Sequence, residues 1–326
     1  MLRLGIIGTG TISHEFIKAA QLSGEYEFTA VYSRTLSSAE RFAQDYKNVA
    51  LYTDMIKFLS ADLDVVYIAS PNSLHFNHAK VAILARKHVI VEKPAVSRPE
   101  EWQELVKLAA EHQVYIFEAA RNYHEAAFAV IRDFLKDKKI WGANFTYAKY
   151  SSKMGALLSG QEPNVFSAKF SGGALMDLGV YTLYAAVRLF GAPQNVCYTA
   201  QKLPNSVDLN GSGSLIYPDF QVRIQAGKNI HSQLPAEIYT DQGTLTLDGV
   251  EFIRSAIFQK LNGETESLAI RQADHQMLEE AQAFARVLKG GQEELYSDYL
   301  QAAATVHECM FAMRKDAGIR FEVDHD

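Results

Sequence analysis

Three groups of residues have the types and spacing to do chemistry. The first is Glu92-Lys93-Pro94, where the apolar run Val89-Ile90-Val91 meets a charged pair and a proline stop. A buried parallel strand ending this way delivers Lys93 to the carboxyl edge of a sheet, where open α/β sheets bind ligands. The second is Asp177 and Tyr181, four apart in an apolar stretch that follows Gly172-Gly173 and closes at Gly191. That spacing puts a carboxylate and a phenol on one helix face, where both can meet one hydroxylated molecule. The third is the glycine turn Gly8-Thr9-Gly10-Thr11-Ile12-Ser13. Gly8 can take the tight turn, and Gly10 has no Cβ to keep a pyrophosphate from the amides at the following helix start. Taken singly, each has a plainer reading: a charged strand end, a first-turn acid beside a half-buried ring, and a strand-to-helix loop.

The surrounding elements decide between these readings. Leu2 to Ile7 is an apolar strand that enters the glycine turn, and the helix after it carries Phe16, Ile17 and Ala20 at helical spacing. Further strands are expected at Phe28 to Tyr32, Val65 to Ala69, His88 to Glu92 and Val114 to Phe117, with helical segments between. Repeated β-then-α units with right-handed crossovers give a doubly wound, Rossmann-type parallel sheet over residues 1–120. The second strand ends in Ser33-Arg34. An NAD-preferring site would place an acid at this position, whereas a hydroxyl and a guanidinium can hold a 2′-phosphate, so NADP is the expected cofactor and NAD the alternative. The plainer reading of Arg34 is a solvated loop charge.

Residues 121–326 have a different pattern. Arg121 to Leu135 reads as one helix. Strands are expected at Ala143 to Tyr150, Val196 to Gln201, Ser214 to Tyr217, Gln221 to Gln225, Ala236 to Tyr239, Thr244 to Leu247 and Glu251 to Phe258. This half is therefore α+β with an open, largely antiparallel sheet. The final segment reads as two helices, Asp274 to Leu288 and Leu295 to Lys315, split at Gly290-Gly291, which can pack back on the first domain.

The fragments Gly8-Thr9-Gly10, Ala69-Ser70-Pro71-Asn72 with His75, Glu92-Lys93-Pro94 and Gly172-Gly173-Ala174-Leu175-Met176-Asp177-Leu178-Gly179-Val180-Tyr181 occur in an order that resembles the glucose-fructose oxidoreductase / inositol dehydrogenase / MocA family of NAD(P)-dependent oxidoreductases. The resemblance spans essentially the whole chain. It implies that Lys93 contacts the reacting oxygen near the nicotinamide, and that Ser70, Pro71, Asn72, His75 and Glu92 line the cofactor with Gly8, Gly10, Thr11, Ile12, Ser33 and Arg34. It also implies a homodimer or homotetramer formed through the open sheet. The expected reaction is hydride transfer between the nicotinamide and a secondary alcohol of a sugar, polyol or trans-dihydrodiol-like compound. Lys93, Tyr181 and Asp177 are the catalytic set. A cation beside a phenol favours the phenolate, so Lys93 would make Tyr181 a competent proton acceptor. Asp177 would orient an adjacent hydroxyl. Many relatives carry histidine at the position of Tyr181, which ranks an inositol-type substrate lower. Where some sugar-oxidising relatives place an arginine, this chain has Lys169 near Phe166 and Phe170, which with Tyr123 could line a pocket. The alternative is a non-catalytic NADP-binding sensor or regulator of the same family.

Composition bounds the rest. The 326 residues carry 32 Lys and Arg against 38 Asp and Glu, with no basic block, which argues against a nucleic-acid partner. No apolar run reaches membrane-spanning length, and no leader precedes the first strand. Two distant cysteines fit neither a disulfide framework nor a metal motif, and His75 and His78 have no companion ligands, so no metal is expected. A cytoplasmic protein is the expectation.

Overall fold

Six short apolar segments form the first sheet. In the computed structural model, which describes residues 1–290 and 292–325, these are β1 (Leu2–Ile7), β2 (Tyr26–Tyr32), β3 (Ala50–Tyr52), β4 (Val65–Ile68), β5 (His88–Glu92) and β6 (Ile116–Ala119). Their order is β3-β2-β1-β4-β5-β6, and every neighbouring pair is parallel. The order reverses between β1 and β4, so the carboxyl ends of these two strands flank the point where a doubly wound sheet opens to a ligand. β4 and β6 are buried along their whole length, which is why they lack polar alternation in the sequence. Phe16, Ile17 and Ala20 of helix Thr11–Ser23 and Ala281 and Phe284 of helix Leu278–Leu288 share one apolar cluster with Leu4, Ile6, Tyr67 and Phe117 of the sheet. The Tyr26 hydroxyl ties this packing down by donating to the Ala281 carbonyl at 2.8 Å.

β6 starts two residues later than expected. Gln113 has φ +56°, and Val114 N–H still bonds to Ala109 O at 3.0 Å, so the chain is still leaving the preceding helix at Val114. β3 and the helix Leu36–Ala43, capped by the Thr35 hydroxyl on Ser38 N–H, give too little periodicity to be read from sequence.

The second sheet contains β7 (Ile140–Ala148), β8 (Asn195–Lys202), β9 (Asp208–Ile216), β10 (Gln221–Gly227), β11 (Ala236–Thr240), β12 (Gly243–Leu247), β13 (Ala256–Lys260) and β14 (Thr265–Ser267). Their order is β14-β13-β12-β11-β7-β10-β9-β8. All pairs are antiparallel except β7 with β10, so the sheet is mixed but largely antiparallel, as expected. In β10, Val222, Ile224 and Ala226 are buried while Gln221 and Arg223 are exposed, the alternation of a sheet with one packed face.

The strand expected at Ser214 to Tyr217 runs from Asp208 to Ile216, that expected at Ala143 to Tyr150 runs from Ile140 to Ala148, and two further elements are interrupted. Arg121 to Leu135 is a 3₁₀ turn, Arg121–His124, followed by an α-helix, Ala127–Leu135, with extended Glu125 between them. Tertiary bonds account for the break. Asn122 Nδ2 donates to Tyr181 O at 3.0 Å and to Val250 O at 2.9 Å, and Glu125 accepts Ile253 N–H at 2.8 Å. The strand expected from Glu251 begins only at Ala256, because Asp248 Oδ1 accepts the amides of Arg254 and Ser255 at 2.9 and 3.0 Å and holds that segment as a loop.

The chain divides into two compact units, Met1–Ala119 with Asp274–Gln301, and Ala120–Ala273 with the segment from Ala302 onward. The two C-terminal helices are Leu278–Leu288 and Glu293–Asp316; Gly291, half of the glycine pair read between them, lies outside the described residues. Among the described residues no helix is long and apolar enough to cross a membrane.

Candidate functional site

In the first unit the site is built at the carboxyl ends of β1, β2, β4 and β5. Gly8 turns the chain out of β1 at φ +107°, and a Cβ there would run into the Ala69 carbonyl that follows β4. Only glycine keeps the two strand ends this close. Gly10 is extended (φ −87°, ψ 171°) at the head of helix Thr11–Ser23, which has no side-chain cap and no acid in its first turn. A Cβ on Gly10 would meet nothing within 4 Å. Ser13 is buried and donates to Gly8 O at 2.9 Å, fixing the helix start to the turn, while Thr11 and Ile12 are exposed on the first turn. Uncapped amides facing open space fit the pyrophosphate of a dinucleotide.

At the end of β2, Ser33 is half-buried and its N–H bonds to Tyr52 O at 3.0 Å. Arg34 is exposed and makes no hydrogen bond or ion pair with the described residues, so its guanidinium is available to an anion.

Ser70, Pro71 and Asn72 follow β4 and are half-buried. His75 is 1% exposed, with Nδ1 2.9 Å from Pro94 O and Nε2 2.6 Å from Ser70 O. It therefore clamps the loop after β4 to the loop after β5. Burial pushes its imidazole down to about 4 and outweighs the two carbonyls, which favour the protonated ring. His78 Nδ1 reaches Ser70 Oγ at 3.0 Å. Neither ring belongs to a metal set, since among the described residues no three His, Cys, Asp or Glu side chains group closely enough to hold an ion.

Lys93 is half-buried, and its N–H bonds to Glu92 Oε2 at 3.2 Å. The other Glu92 oxygen accepts the Tyr67 hydroxyl, and Glu118 Oε1 accepts Ala95 N–H at 3.3 Å. Two buried carboxylates thus hold the backbone that carries Lys93, and Glu92 acts from beneath the loop.

In the second unit the site is organised by buried Asp208. Its Oδ2 accepts Leu175 N–H at 2.8 Å and the Tyr198 hydroxyl at 3.2 Å, and burial pushes its carboxyl up. A Cβ on Gly173 (φ +122°) would strike Asp208 Oδ1, and one on Gly172 would stand 2.7 Å from the Val165 carbonyl carbon. The double glycine is what lets the helix start close over this carboxylate. The helix itself is not α throughout: Leu175–Gly179 is a π-helical turn, and the α-helix runs from Val180 to Phe190, ending on Gly191. π turns concentrate at functional sites, and Asp177 is at the centre of this one.

Asp177, with 37% of its side chain exposed, forms an ion pair with Lys228. Tyr181 is 8% exposed, and its hydroxyl accepts a hydrogen bond from Arg121 Nε at 3.3 Å. The Arg121 guanidinium carbon is 5.2 Å from the Tyr181 ring centroid, and the Tyr147 ring meets the same ring edge-on at 5.4 Å. Sequence reasoning missed both Arg121 and Lys228. The only signal for Arg121 was a lone cation directly after an apolar strand, and nothing marked Lys228. Of the side chains expected to line a pocket, Phe166 is fully buried, Tyr123 is buried against Arg188 and Tyr184, and exposed Lys169 rests over Phe170.

Comparison with known proteins finds two family models along the chain. The model of the oxidoreductase family with an NAD-binding Rossmann fold (GFO/IDH/MocA) matches residues 2–120, and that of the GFO/IDH/MocA C-terminal domain matches residues 139–246. The uncharacterized oxidoreductase YgjR of Escherichia coli (strain K12) is 35% identical, with 99% of each chain covered. The scyllo-inositol 2-dehydrogenase (NADP(+)) IolU of Bacillus subtilis (strain 168) is 32% identical, again with 99% of each chain covered. Among solved structures, the 3-ketoreductase KijD10 from Actinomadura kijaniata, in complex with NADP and TDP-benzene, superposes with a TM-score of 0.84 at 23% identity over 97% of this chain and 98% of that one, a likeness of fold.

Proposed function

The chain belongs to the GFO/IDH/MocA oxidoreductase family, and from that premise we propose that it moves a hydride reversibly between NADP and a secondary alcohol of a sugar, polyol or trans-dihydrodiol-like compound. The observation that carries this reading is Tyr181, whose hydroxyl is held by the Arg121 guanidinium one helical turn from the paired carboxylate of Asp177. An arginine does not give up its proton at physiological pH, so in this pair the phenol is the group that can exchange one.

The nicotinamide, when bound, supplies the hydride acceptor or donor. Tyr181 takes the substrate hydroxyl proton in the oxidative direction and returns it in reduction. Lys93 holds the negative charge that develops on the reacting oxygen. Asp177 accepts a hydrogen bond from a neighbouring hydroxyl and sets the orientation of the carbinol. NADP is favoured over NAD by the unengaged Arg34 and by the cofactor in the name of the Bacillus relative. That same name, scyllo-inositol 2-dehydrogenase, keeps an inositol among the polyols to be tested. The polar outer face of the second sheet, with Ser212 and Arg223 exposed, is the proposed subunit contact; a monomeric mass by light scattering would end that part of the reading.

The test is a panel of sugars, inositols, diols and dicarbonyls with NADP and NAD in both directions, followed by absorbance of the reduced nicotinamide. Turnover with one polyol or sugar class and NADP is expected. Lys93→Met and Tyr181→Phe should each lower kcat on the order of a hundredfold or more while nucleotide binding changes little. Near-normal rates in both variants would overturn the roles, and nucleotide binding without turnover across the panel would favour the sensor.

A further inference from the structure

Lys228 is a buried cation directly behind the proposed substrate carboxylate. Its placement follows from small residues. Ala174 and Leu178 of the π turn pack on Ala226 of β10, with Tyr147 beside them, and a Cβ added to Gly179 would stand 3.4 Å from the Ala226 Cβ. With no bulk at either position the turn lies close against the strand. Lys228 follows directly on the last residue of β10, and its side chain reaches Asp177. Its backbone is fixed on both sides, N–H to Leu209 O at 2.7 Å and O to Ser151 N–H at 2.8 Å.

The residue is 4% exposed. Among the described residues its ammonium meets the Asp177 carboxylate and, 5.8 Å away, the face of the Phe166 ring. Burying an ammonium is costly unless a countercharge accompanies it, and here the Asp177 carboxylate is that partner. Asp177 keeps 37% of its side chain exposed, so it is anchored from the interior and presented outward.

We propose that Lys228 is a specificity-determining positioning residue: by holding Asp177 as a fixed carboxylate, it makes that group an acceptor only, so the substrate must carry a hydroxyl on the carbon next to the one oxidised. The inference rests on the dehydrogenase reading above and narrows its substrate class to vicinal hydroxy compounds. A carboxylate only accepts hydrogen bonds, so a hydroxyl on the adjacent carbon can donate to it and a deoxy analogue cannot. Sites built around a substrate hydroxyl reject the analogue lacking it strongly. Because this bond is present before and during hydride transfer, its loss appears mainly in KM.

The experiment compares the best substrate from the panel with its analogue deoxygenated at the adjacent carbon, in the wild-type full chain and in Lys228→Met, Lys228→Arg, Asp177→Asn and the Asp177→Asn/Lys228→Met double variant. Thermal unfolding confirms that each is folded. Wild type should favour the hydroxylated substrate by about a hundredfold or more in kcat/KM. Lys228→Met should raise KM for that substrate about tenfold or more with kcat within about threefold, and should collapse the discrimination, while Lys228→Arg restores most of it. In the Asp177→Asn background, Lys228→Met should cost little further, because the lysine acts through the carboxylate. If Lys228→Met does not fold, the charge-neutral double variant against Asp177→Asn carries the comparison. An active wild type with no deoxy discrimination, or discrimination unchanged by Lys228→Met, or independent multiplying losses in the double variant, would overturn the proposal alone. A wild type silent on the whole panel removes the dehydrogenase reading and this inference with it.

Discussion

Arg121 Nε lies 3.3 Å from the Tyr181 hydroxyl, with the guanidinium carbon 5.2 Å from the phenol ring centroid. One cation on this phenol is thus an arginine from the 3₁₀ turn that opens the second unit. A guanidinium stays protonated across the working pH range, so it donates to the phenol and stabilises negative charge there without competing for the proton.

Replacing Arg121 with Met should therefore lower kcat by roughly ten- to a hundredfold, the usual loss when a charge-assisted donor to a reacting oxygen is removed. Arg121→Lys should recover part of it. In a Tyr181→Phe background the same change should add little, since the hydroxyl it serves is gone. Steady-state rates of wild type, the single variants and the double variant decide the matter, and independent, multiplying losses would show that Arg121 acts elsewhere.

The glycine turn yields opposite expectations at its two glycines. Gly8→Ala forces a side chain into φ +107° against the Ala69 carbonyl and should destabilise the chain on the order of 1–3 kcal/mol. Gly10→Asp meets open space and supplies the side-chain cap that helix Thr11–Ser23 lacks, so its melting temperature should hold or rise. The new carboxylate would occupy and repel the pyrophosphate position, weakening dinucleotide binding by about a hundredfold or more. Thermal unfolding and nucleotide titration separate the two effects; a Gly10→Asp protein that binds NADP normally would place the dinucleotide elsewhere.

Arg34 is exposed and unengaged. A guanidinium on a phosphate contributes about 1.5–3 kcal/mol, so Arg34→Ala should raise the NADP KM roughly ten- to a hundredfold and leave the NAD value nearly unchanged. Equal effects on both cofactors would show that Arg34 does not read the 2′-phosphate.

His75 links stability to pH. In the folded chain its imidazole is pushed from 6.5 down to about 4, chiefly by burial. As pH falls, the unfolded chain binds this proton first, so unfolding is favoured. The contribution of the buried neutral ring is whole above about 6.5 and is lost between 6.5 and 4, reaching about 3 kcal/mol at the lower end. Urea midpoints of wild type and His75→Asn over this window should converge as the pH drops, the variant having the shallower slope. Parallel curves would mean that the ring titrates normally in the folded protein.

The parallel sheet was legible because its strands are buried on both faces and so appear as unbroken apolar runs, as in Val65–Ile68. The glycine turn was legible because backbone geometry alone demands glycine at Gly8. Lys93, Asp177 and Tyr181 were proposed from local spacing and family likeness. The three-residue β3 carried too few residues to show a period, and the break at Glu125 was hidden because it answers to bonds with Tyr181, Val250 and Ile253, far along the chain.

What the sequence determined by itself was therefore everything that depends on short-range constraint: the order of strands and helices, the turns that require glycine, and the reactive side-chain types. Only the tertiary structure decided which cation serves which acid or phenol. Arg121 and Tyr181 are 60 residues apart, and Asp177 and Lys228 are 51 apart. Charge pairing across such separations is set by how a helix packs on a strand, through small contacts such as Gly179 on Ala226, and no local period in the chain records it.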